Sequence, residues 1–154
     1  MKVTIISGKQ NSAKTTTLKK IVSQKDCLYL GYICESSSNK NIFYLRNVMS
    51  NEIIRLLQTH LCEYNQKIGK FYIVPNSFES AKKSLLSQVE ENCNKDIVIV
   101  LDEVGALELS SSGYHDLIEN LIQIDKDLII CVRDKYVEDV CKKYKFEDFE
   151  IIRV

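Results

Sequence analysis

The chain has 154 residues, 45% of them hydrophobic, and its 21 basic and 21 acidic residues balance at neutral pH. This length suits a single domain, 1–154, with a hydrophobic core, and is too short for two. The balanced charge gives no strong nucleic-acid or anionic-membrane signal. No apolar run reaches the roughly 20 residues that span a bilayer, and the first residues do not form a signal-peptide pattern. We therefore expect a cytoplasmic protein without a membrane segment.

The six cysteines form no C-x-x-C pair, and several of them lie in apolar segments. Metal-binding and redox motifs usually bring cysteines close together in sequence. We therefore expect reduced, structural thiols and neither a disulfide framework nor a zinc site.

Apolar, β-branched runs alternate with amphipathic segments along the chain. The runs predict strands at 2–7, 27–34, 70–74, 96–101, 127–132 and 150–154. The amphipathic segments predict helices at 14–23, for about 14 residues after Asn76, at 113–124 and at 136–144. Asn76 and Glu79 resemble a capping box at the start of the second helix.

Two further β-like runs, 42–48 and 53–57, flank a polar turn and predict a hairpin. Strands that alternate with helices form a mostly parallel sheet with helices on both faces. The predicted fold is therefore a three-layer α/β/α fold with a mostly parallel sheet and an added β-hairpin. In such sheets ligands bind at the carboxyl ends of the strands.

The stretch GKQNSAKTTT, which begins at Gly8, follows the first predicted strand directly. A phosphate-binding P-loop reads G-x-x-x-x-G-K-[ST] between a strand and a helix, and Gly8, Lys14 and Thr15 occupy three of its positions. Lys14 would reach the phosphates of a bound nucleotide, and the Thr15 hydroxyl would bind Mg²⁺. An ordinary polar turn, capped by Ser12 ahead of an amphipathic helix, is the alternative.

The loop departs from the pattern at Ala13, which stands where the second glycine should be. If this position needs a positive φ, a Cβ costs about 1–2 kcal/mol there. If it needs room for a phosphate oxygen, Ala13 weakens binding without disturbing the fold. Asn11 is the residue type that best tolerates a left-handed bend. We expect the Lys9 side chain to point to solvent. The predicted nucleotide-binding residues are Gly8, Lys9, Gln10, Asn11, Ser12, Ala13, Lys14, Thr15 and Thr16.

A second motif, IVIVLDE, spans 97–103 and ends a predicted buried strand. P-loop NTPases place a Mg²⁺-binding acid at this position. Asp102 is therefore the predicted Mg²⁺ ligand, and Glu103 is the predicted base for the attacking water. A solvated turn with two acids is the alternative. Phosphoryl transfer also needs a further cation, for which Arg133 is the best-placed arginine; alternatively, it is a loop arginine paired with Asp134.

With these residues considered, the chain resembles the THEP-type family of small P-loop nucleoside triphosphatases. The resemblance covers GKQNSAKTT from 8, LGYICES from 30, NIFYLRN from 41, IGKFYIVPNSFESA from 68 and VLDEVGALELSSSGYHDLI from 100. Its most specific part is DEVGALEL, which is similar to the family's D-E-[IV]-G-x-[ML]-E-L. The resemblance implies that Lys14, Thr15, Asp102 and Glu103 bind phosphate, bind Mg²⁺ and activate water. Glu108 matches the family's further acid, for which the sequence indicates no role.

The sequence thus predicts a slow Mg²⁺-dependent nucleoside triphosphatase that converts ATP or GTP to the nucleoside diphosphate and phosphate. One alternative is a non-catalytic nucleotide-binding switch or adaptor, whose bound state an unidentified protein partner would detect. A small-molecule kinase is a third reading, since the hairpin would be able to cover an acceptor. The scarcity of arginine and the adjacent acids argue against the kinase.

Overall fold

Nine strands form one sheet within residues 1–60 and 66–154, which the computed structural model describes. The strands are β1 Val3–Gly8, β2 Leu28–Ser36, β3 Ile42–Asn47, β4 Ile53–Gln58, β5 Lys67–Ile68, β6 Phe71–Ile73, β7 Ile97–Val104, β8 Asp127–Arg133 and β9 Phe149–Arg153. The helices are α1 Lys14–Ser23, α2 Ser77–Glu91, α3 Ala106–Leu109, α4 His115–Gln123 and α5 Val137–Tyr144, and a 3-10 helix, Asp134–Tyr136, precedes α5.

The sheet has a parallel part and an antiparallel part, in the order β5-β6-β4-β3-β2-β7-β8-β1-β9. The five strands from β2 to β9 in this order are parallel. The predicted hairpin, β3 with β4, continues the sheet beyond β2, and β6 and β5 extend it further in antiparallel register. The predicted α/β fold with an added hairpin is confirmed, and its antiparallel part is longer than the hairpin alone.

The central strands are buried on both faces, which explains their nearly continuous apolar sequences. In β7, Ile97, Ile99 and Leu101 pack on one face, and Val98 and Val100 pack on the other. Helices α2, α4 and α5 cover the first face, while α1 covers the second through Leu18. This gives the three layers that the alternating pattern predicted.

Strand order brings the two sequence motifs to one edge of the sheet. β8 lies between β1, which leads into the loop at Gly8, and β7, which carries Asp102. Gly8 is the register partner of Arg133 at the end of β8. The carboxyl ends of β1, β7 and β8 therefore place the loop, the acids and Arg133 beside one another.

The predicted capping box at Asn76 is wrong. Asn76 does lie at the N-cap of α2, but it adopts a left-handed conformation with φ 62° and its side chain makes no capping hydrogen bond. Its carbonyl instead accepts the first helical bond, from the Ser80 N–H at 2.9 Å. Asn76 is the third residue of a tight turn that the Ser77 N–H closes on the Val74 carbonyl at 3.3 Å, and asparagine tolerates the left-handed conformation there better than most residues.

The cysteines of the described residues are free thiols: Cys27, Cys34, Cys93, Cys131 and Cys141. Cys62 lies outside the described residues. Within 1–60 and 66–154, no helix is both long enough and apolar enough to cross a membrane.

Candidate active site

The loop between β1 and α1 is a tight backbone turn. The Ser12 N–H donates to the Lys9 carbonyl at 3.2 Å, and Asn11 adopts the expected left-handed conformation with φ 60°. Gly8 has no room for a side chain, since a Cβ there would lie 2.6 Å from the Val154 carbonyl oxygen and 2.3 Å from Ser12 Oγ. Ala13 has φ −78° and therefore carries none of the strain that a positive φ would impose on it.

The Lys14 ammonium group lies inside this loop, and the residue is only 3% exposed. Its Nζ donates to the carbonyls of Lys9 at 2.6 Å and Gly8 at 3.2 Å, and to Ser12 Oγ at 3.3 Å. All three acceptors are neutral. The loop therefore concentrates a full positive charge where the N-terminus of α1 adds its partial positive charge.

A hydrogen bond joins the two sequence motifs directly. The Thr15 hydroxyl donates to Asp102 Oδ2 at 2.8 Å, across 87 residues of chain. Asp102 is fully buried, and its carboxylate also accepts the backbone N–H groups of Cys34 at 3.2 Å and Glu103 at 3.0 Å. Burial raises the pKa of Asp102 above its usual value, and the Thr15 hydrogen bond opposes this effect.

The oxygen atoms of the Thr15 hydroxyl and the Asp102 carboxylate fit a magnesium ion. The hydrogen-bond donors to Asp102 are neutral, so they do not balance the charge of a buried carboxylate. Mg²⁺ prefers hard oxygen ligands and is commonly held by one or two carboxylates together with substrate phosphates. The adjacent Thr15 hydroxyl and Asp102 carboxylate are oxygen donors of this kind.

Glu103 and Arg133 meet at the mouth of the site. Arg133 Nη2 lies 3.8 Å from Glu103 Oε2, and the two side chains are 36% and 44% exposed. Glu103 has φ 61°, at an irregularity in the pairing of β7 with β8 between Leu101 and Val104. The structure thus pairs Arg133 with Glu103, while the Asp134 carboxylate accepts a hydrogen bond from the Ser7 hydroxyl.

Two cavities lie beside the loop. The first has a volume of about 200 Å³, and its lining is Asn11, Ser12, Lys14, Thr15, Cys34, Glu35, Ser36, Lys40, Phe43 and Glu103. The second has a volume of about 330 Å³, and its lining is Lys9, Gln10, Arg133, Asp134 and Lys135. The Glu103–Arg133 ion pair connects the two linings, because each cavity contributes one of the partners.

The structure therefore separates the predicted residues into groups. Lys14, Thr15, Asp102 and Glu103 come together, with Asn11 and Ser12 in the same cavity lining. Lys9 and Gln10 are exposed and line the second cavity with Arg133. Thr16 is exposed in the first turn of α1, and Ala13 is exposed immediately before it.

Sequence reasoning missed the wall opposite the loop. This wall consists of Cys34, Glu35 and Ser36 from the end of β2, of Lys40 from the turn between β2 and β3, and of Phe43 from β3. Glu35 accepts hydrogen bonds from Lys19 Nζ at 2.8 Å and Arg46 Nε at 2.9 Å, which hold its pKa below the usual value. The rule that ligands bind at strand carboxyl ends applied to β2 as well and would have indicated this wall.

The fold and the site together define a P-loop nucleoside triphosphatase. A loop with a buried lysine follows one parallel strand, and its threonine contacts an acid at the end of another. The nucleoside-triphosphatase family model, described as NTPase, matches residues 3–154, and the chain belongs to this family. The predictions of a small THEP-type enzyme and of nucleoside triphosphate as its substrate class are confirmed.

Curated relatives carry the name nucleoside-triphosphatase THEP1. The Thermotoga petrophila protein is 29% identical, over 96% of this chain and 82% of its own length. The Sulfurisphaera tokodaii protein is 24% identical, over 93% and 79%.

Two solved structures share the fold. The crystal structure of THEP1 from Aquifex aeolicus superposes with a TM-score of 0.76 at 19% identity and covers 99% of this chain and 89% of its own. The solution structure of a human cancer-related nucleoside triphosphatase gives 0.75 at 17% identity, with 100% and 89% coverage.

Proposed function

We propose that this chain hydrolyses the β–γ bond of ATP or GTP in a Mg²⁺-dependent reaction at the cavity that Lys14, Thr15 and Glu103 line. The Thr15–Asp102 hydrogen bond carries the proposal, because it assembles the phosphate loop and the acid-bearing strand into one site. The buried Lys14 and the adjacent acids supply the groups that phosphoryl transfer requires.

Lys14 would bind the β- and γ-phosphates of the nucleotide. Its ammonium group donates to neutral carbonyl and hydroxyl oxygens, so charged phosphate oxygens would be stronger acceptors in the same place. The backbone N–H groups at the start of α1 would add donors, since the first turn of a helix leaves them without partners.

Thr15 and Asp102 would hold Mg²⁺, with the Asp102 carboxylate providing the negative charge. When bound, this ion would neutralise charge on the phosphate oxygens. The Cys34 and Glu103 N–H groups would keep the Asp102 carboxylate oriented.

Glu103 would act as the general base. A water oxygen attacks the γ-phosphorus, the bond from that phosphorus to the β–γ bridging oxygen breaks, and the nucleoside diphosphate leaves. The proton of the attacking water passes to the Glu103 carboxylate. Arg133 would stabilise the charge on the transferring phosphoryl group, and its proximity to Glu103 places a cation beside the base.

Calorimetry with ATP and GTP in the presence of Mg²⁺, followed by phosphate release on the same samples, tests this assignment. Lys14→Ala should lose nucleotide binding, whereas Glu103→Gln should bind nucleotide and lose turnover. Lys20→Ala is the matched control, because it removes an exposed lysine from the last turn of the same helix. Wild-type protein that does not bind nucleotide at millimolar concentration would contradict the proposal.

The product balance separates hydrolysis from the alternatives. Hydrolysis yields nucleoside diphosphate and phosphate in equal amounts, whereas transfer to an acceptor yields nucleoside diphosphate in excess of phosphate. A nucleotide-binding switch would bind nucleotide with Lys14 and show no effect of Glu103→Gln on its slow background turnover. We expect equal amounts of both products from the wild-type chain.

A further inference from the structure

Glu108 is a buried acid that lines neither cavity. It lies in α3, directly after the segment that carries Asp102 and Glu103, and is 1% exposed. Its Oε2 accepts the Gly105 N–H at 2.7 Å, and its Oε1 accepts the Tyr114 N–H at 2.9 Å. Both carboxylate oxygens therefore accept hydrogen bonds from the backbone. One oxygen restrains the segment after Glu103, and the other restrains the segment before α4.

The surroundings leave space for this carboxylate only because residue 113 is glycine. Gly113 has φ 62°, and a Cβ built there would lie 2.3 Å from Glu108 Oε1. Burial raises the pKa of Glu108, and its two backbone hydrogen bonds oppose that effect. The carboxylate thus occupies a fitted position in which each oxygen has a specific partner.

The held segment contains a strained residue. Glu103 adopts φ 61°, a conformation that a glutamate disfavours and that persists only where the surrounding structure fixes it. Asp102 Oδ1 accepts the Glu103 N–H at 3.0 Å, and Glu108 Oε2 accepts the N–H of Gly105, two residues further on. Two buried carboxylates therefore fix the backbone on either side of the Glu103 side chain.

We propose that Glu108 is a positioning residue that keeps the Glu103 carboxylate directed into the active-site cavity. The proposal rests on the proposed role of Glu103 as the general base. Glu108 itself touches neither nucleotide nor water in this assignment, and it acts through the Gly105 N–H. A purely structural role, limited to joining α3 to α4, would lower stability and leave the chemical step of the folded enzyme unchanged.

The first test is Glu108→Gln. A glutamine keeps the size of the side chain but has one acceptor oxygen in place of two, so either the Gly105 N–H or the Tyr114 N–H loses its hydrogen bond. We expect kcat to fall at least about 10-fold with little change in KM, because misplacing a catalytic group by 1 Å costs up to about 100-fold. Leu85→Ala, a core truncation in α2, is the control for lost stability and should retain kcat below its melting temperature.

A double mutant tests whether Glu108 acts through Glu103. If Glu108 acts through Glu103, adding Glu108→Gln to Glu103→Gln should not lower the residual turnover further, although it should still lower the melting temperature. A full additional loss in the double mutant would overturn the proposal, because it would place the effect of Glu108 elsewhere.

Gly113→Ala provides a variant that retains the carboxylate, should Glu108→Gln fail to fold. Its methyl group would displace Glu108 Oε1 from outside, and we expect the same selective fall in kcat. A Gly113→Ala protein that is destabilised but fully active per folded molecule would contradict the positioning role.

Amide hydrogen exchange gives a readout that needs no turnover. Glu108→Gln should speed exchange at the Gly105 and Glu103 amides more than Leu85→Ala does at equal overall stability. Unchanged exchange and unchanged chemical shifts at both amides would overturn the proposal, even if the chain proved not to be a hydrolase. If Glu103→Gln left turnover intact while this exchange rose, the proposed base would be wrong and the backbone restraint by Glu108 would stand.

Discussion

The P-loop segment, residues 8–15, and the acid segment, residues 102–105, differ in how well the residue at their left-handed position suits that conformation. Each begins at the carboxyl end of a parallel strand, at the same edge of the sheet, and each contains one left-handed residue that is not glycine. In the P-loop segment that residue is Asn11, with φ 60°, and in the acid segment it is Glu103, with φ 61°. Asparagine adopts this conformation readily, whereas glutamate does not.

The segment that departs from its sequence pattern is therefore the less strained of the two. Ala13 replaces the expected glycine at φ −78°, where a Cβ causes no strain. The acid segment matches its sequence pattern, yet it holds Glu103 at φ 61°, which is unfavourable for glutamate. A departure from a motif and strain in a backbone are thus separate properties. In the acid segment the side-chain chemistry, and not the conformational preference, accounts for the residue type.

Outside Lys14 and the two acids, the largest expected effect concerns the cation beside the acid segment. Arg133→Gln should lower kcat about 100-fold, the loss found when one charge-stabilising donor is removed from a transition state. KM should change little, since the phosphate loop remains intact. Steady-state phosphate release at saturating nucleotide measures this effect.

Arg55→Gln is the matched control, because Arg55 is an exposed arginine on β4 and does not line either cavity. It should retain wild-type turnover. Equal kcat for wild type and Arg133→Gln would remove Arg133 from the mechanism and leave it as the surface partner of Glu103.

A pair of substitutions tests the backbone comparison itself. Asn11→Ala should destabilise the fold by about 1 kcal/mol, because alanine pays the left-handed cost that asparagine avoids. Glu103→Asn should stabilise it by up to about 1 kcal/mol for the converse reason, while abolishing turnover. Urea unfolding measures both free energies.

Glu103→Gln controls for the lost charge and the lost contact with Arg133, since glutamine keeps the left-handed cost. It should show none of the stability gain of Glu103→Asn. If the two variants were equally stable, the conformation of Glu103 would carry no appreciable cost, and the contrast between the segments would fail.

Much of this contrast was accessible from sequence. The spacing from Gly8 to Thr15 and the acids after an apolar run predicted which side chains would meet, because parallel strands bring their carboxyl ends together. The left-handed Asn11 was also expected from its residue type. The strain at Glu103 was not, since nothing in an apolar strand followed by two acids indicates where its ladder becomes irregular.

Long-range contacts set the remaining features. The Gly105 and Tyr114 N–H groups fix the role of Glu108, and the motif gave that residue no role. The hairpin was predicted as an element, but its approach to the loop through Phe43, with Lys40 in the turn before it, depends on how β3 pairs with β2. The partner of Arg133 likewise follows from the β7–β8 pairing, whereas the only ion-pair partner that the sequence suggested was Asp134.

Glu35 offers a smaller test outside both segments, on the cavity wall that β2 contributes. Hydrogen bonds from Lys19 and Arg46 hold its folded-state pKa below the ordinary value of 4.5. The ion pairs therefore stabilise the fold fully above pH 4.5, and the effect disappears as the pH falls through the lowered pKa. Glu35→Gln should cost about 0.2–1 kcal/mol at pH 7, as partly exposed pairs do, and nothing at low pH.

Urea unfolding across this pH range measures the difference between wild type and Glu35→Gln. Lys95→Gln is a control, since Lys95 lines neither cavity and contacts Asn92, a neutral residue. A Glu35→Gln cost that persisted unchanged below the lowered pKa would show that packing, and not charge, accounts for it.

The smallest expected effect is the most direct test of the P-loop segment. Ala13→Gly restores the motif, and it would gain about 1–2 kcal/mol if residue 13 had a positive φ. At φ −78° there is no such strain to relieve, while glycine adds freedom to the unfolded chain worth about 0.4–1 kcal/mol. Glycine is also the better residue at a helix N-cap, so these two effects oppose each other.

We expect the unfolding free energy to stay within about 0.5 kcal/mol of wild type. Calorimetry on this equally stable pair then isolates the second cost of Ala13, because any gain in nucleotide affinity must come from space beside the phosphates.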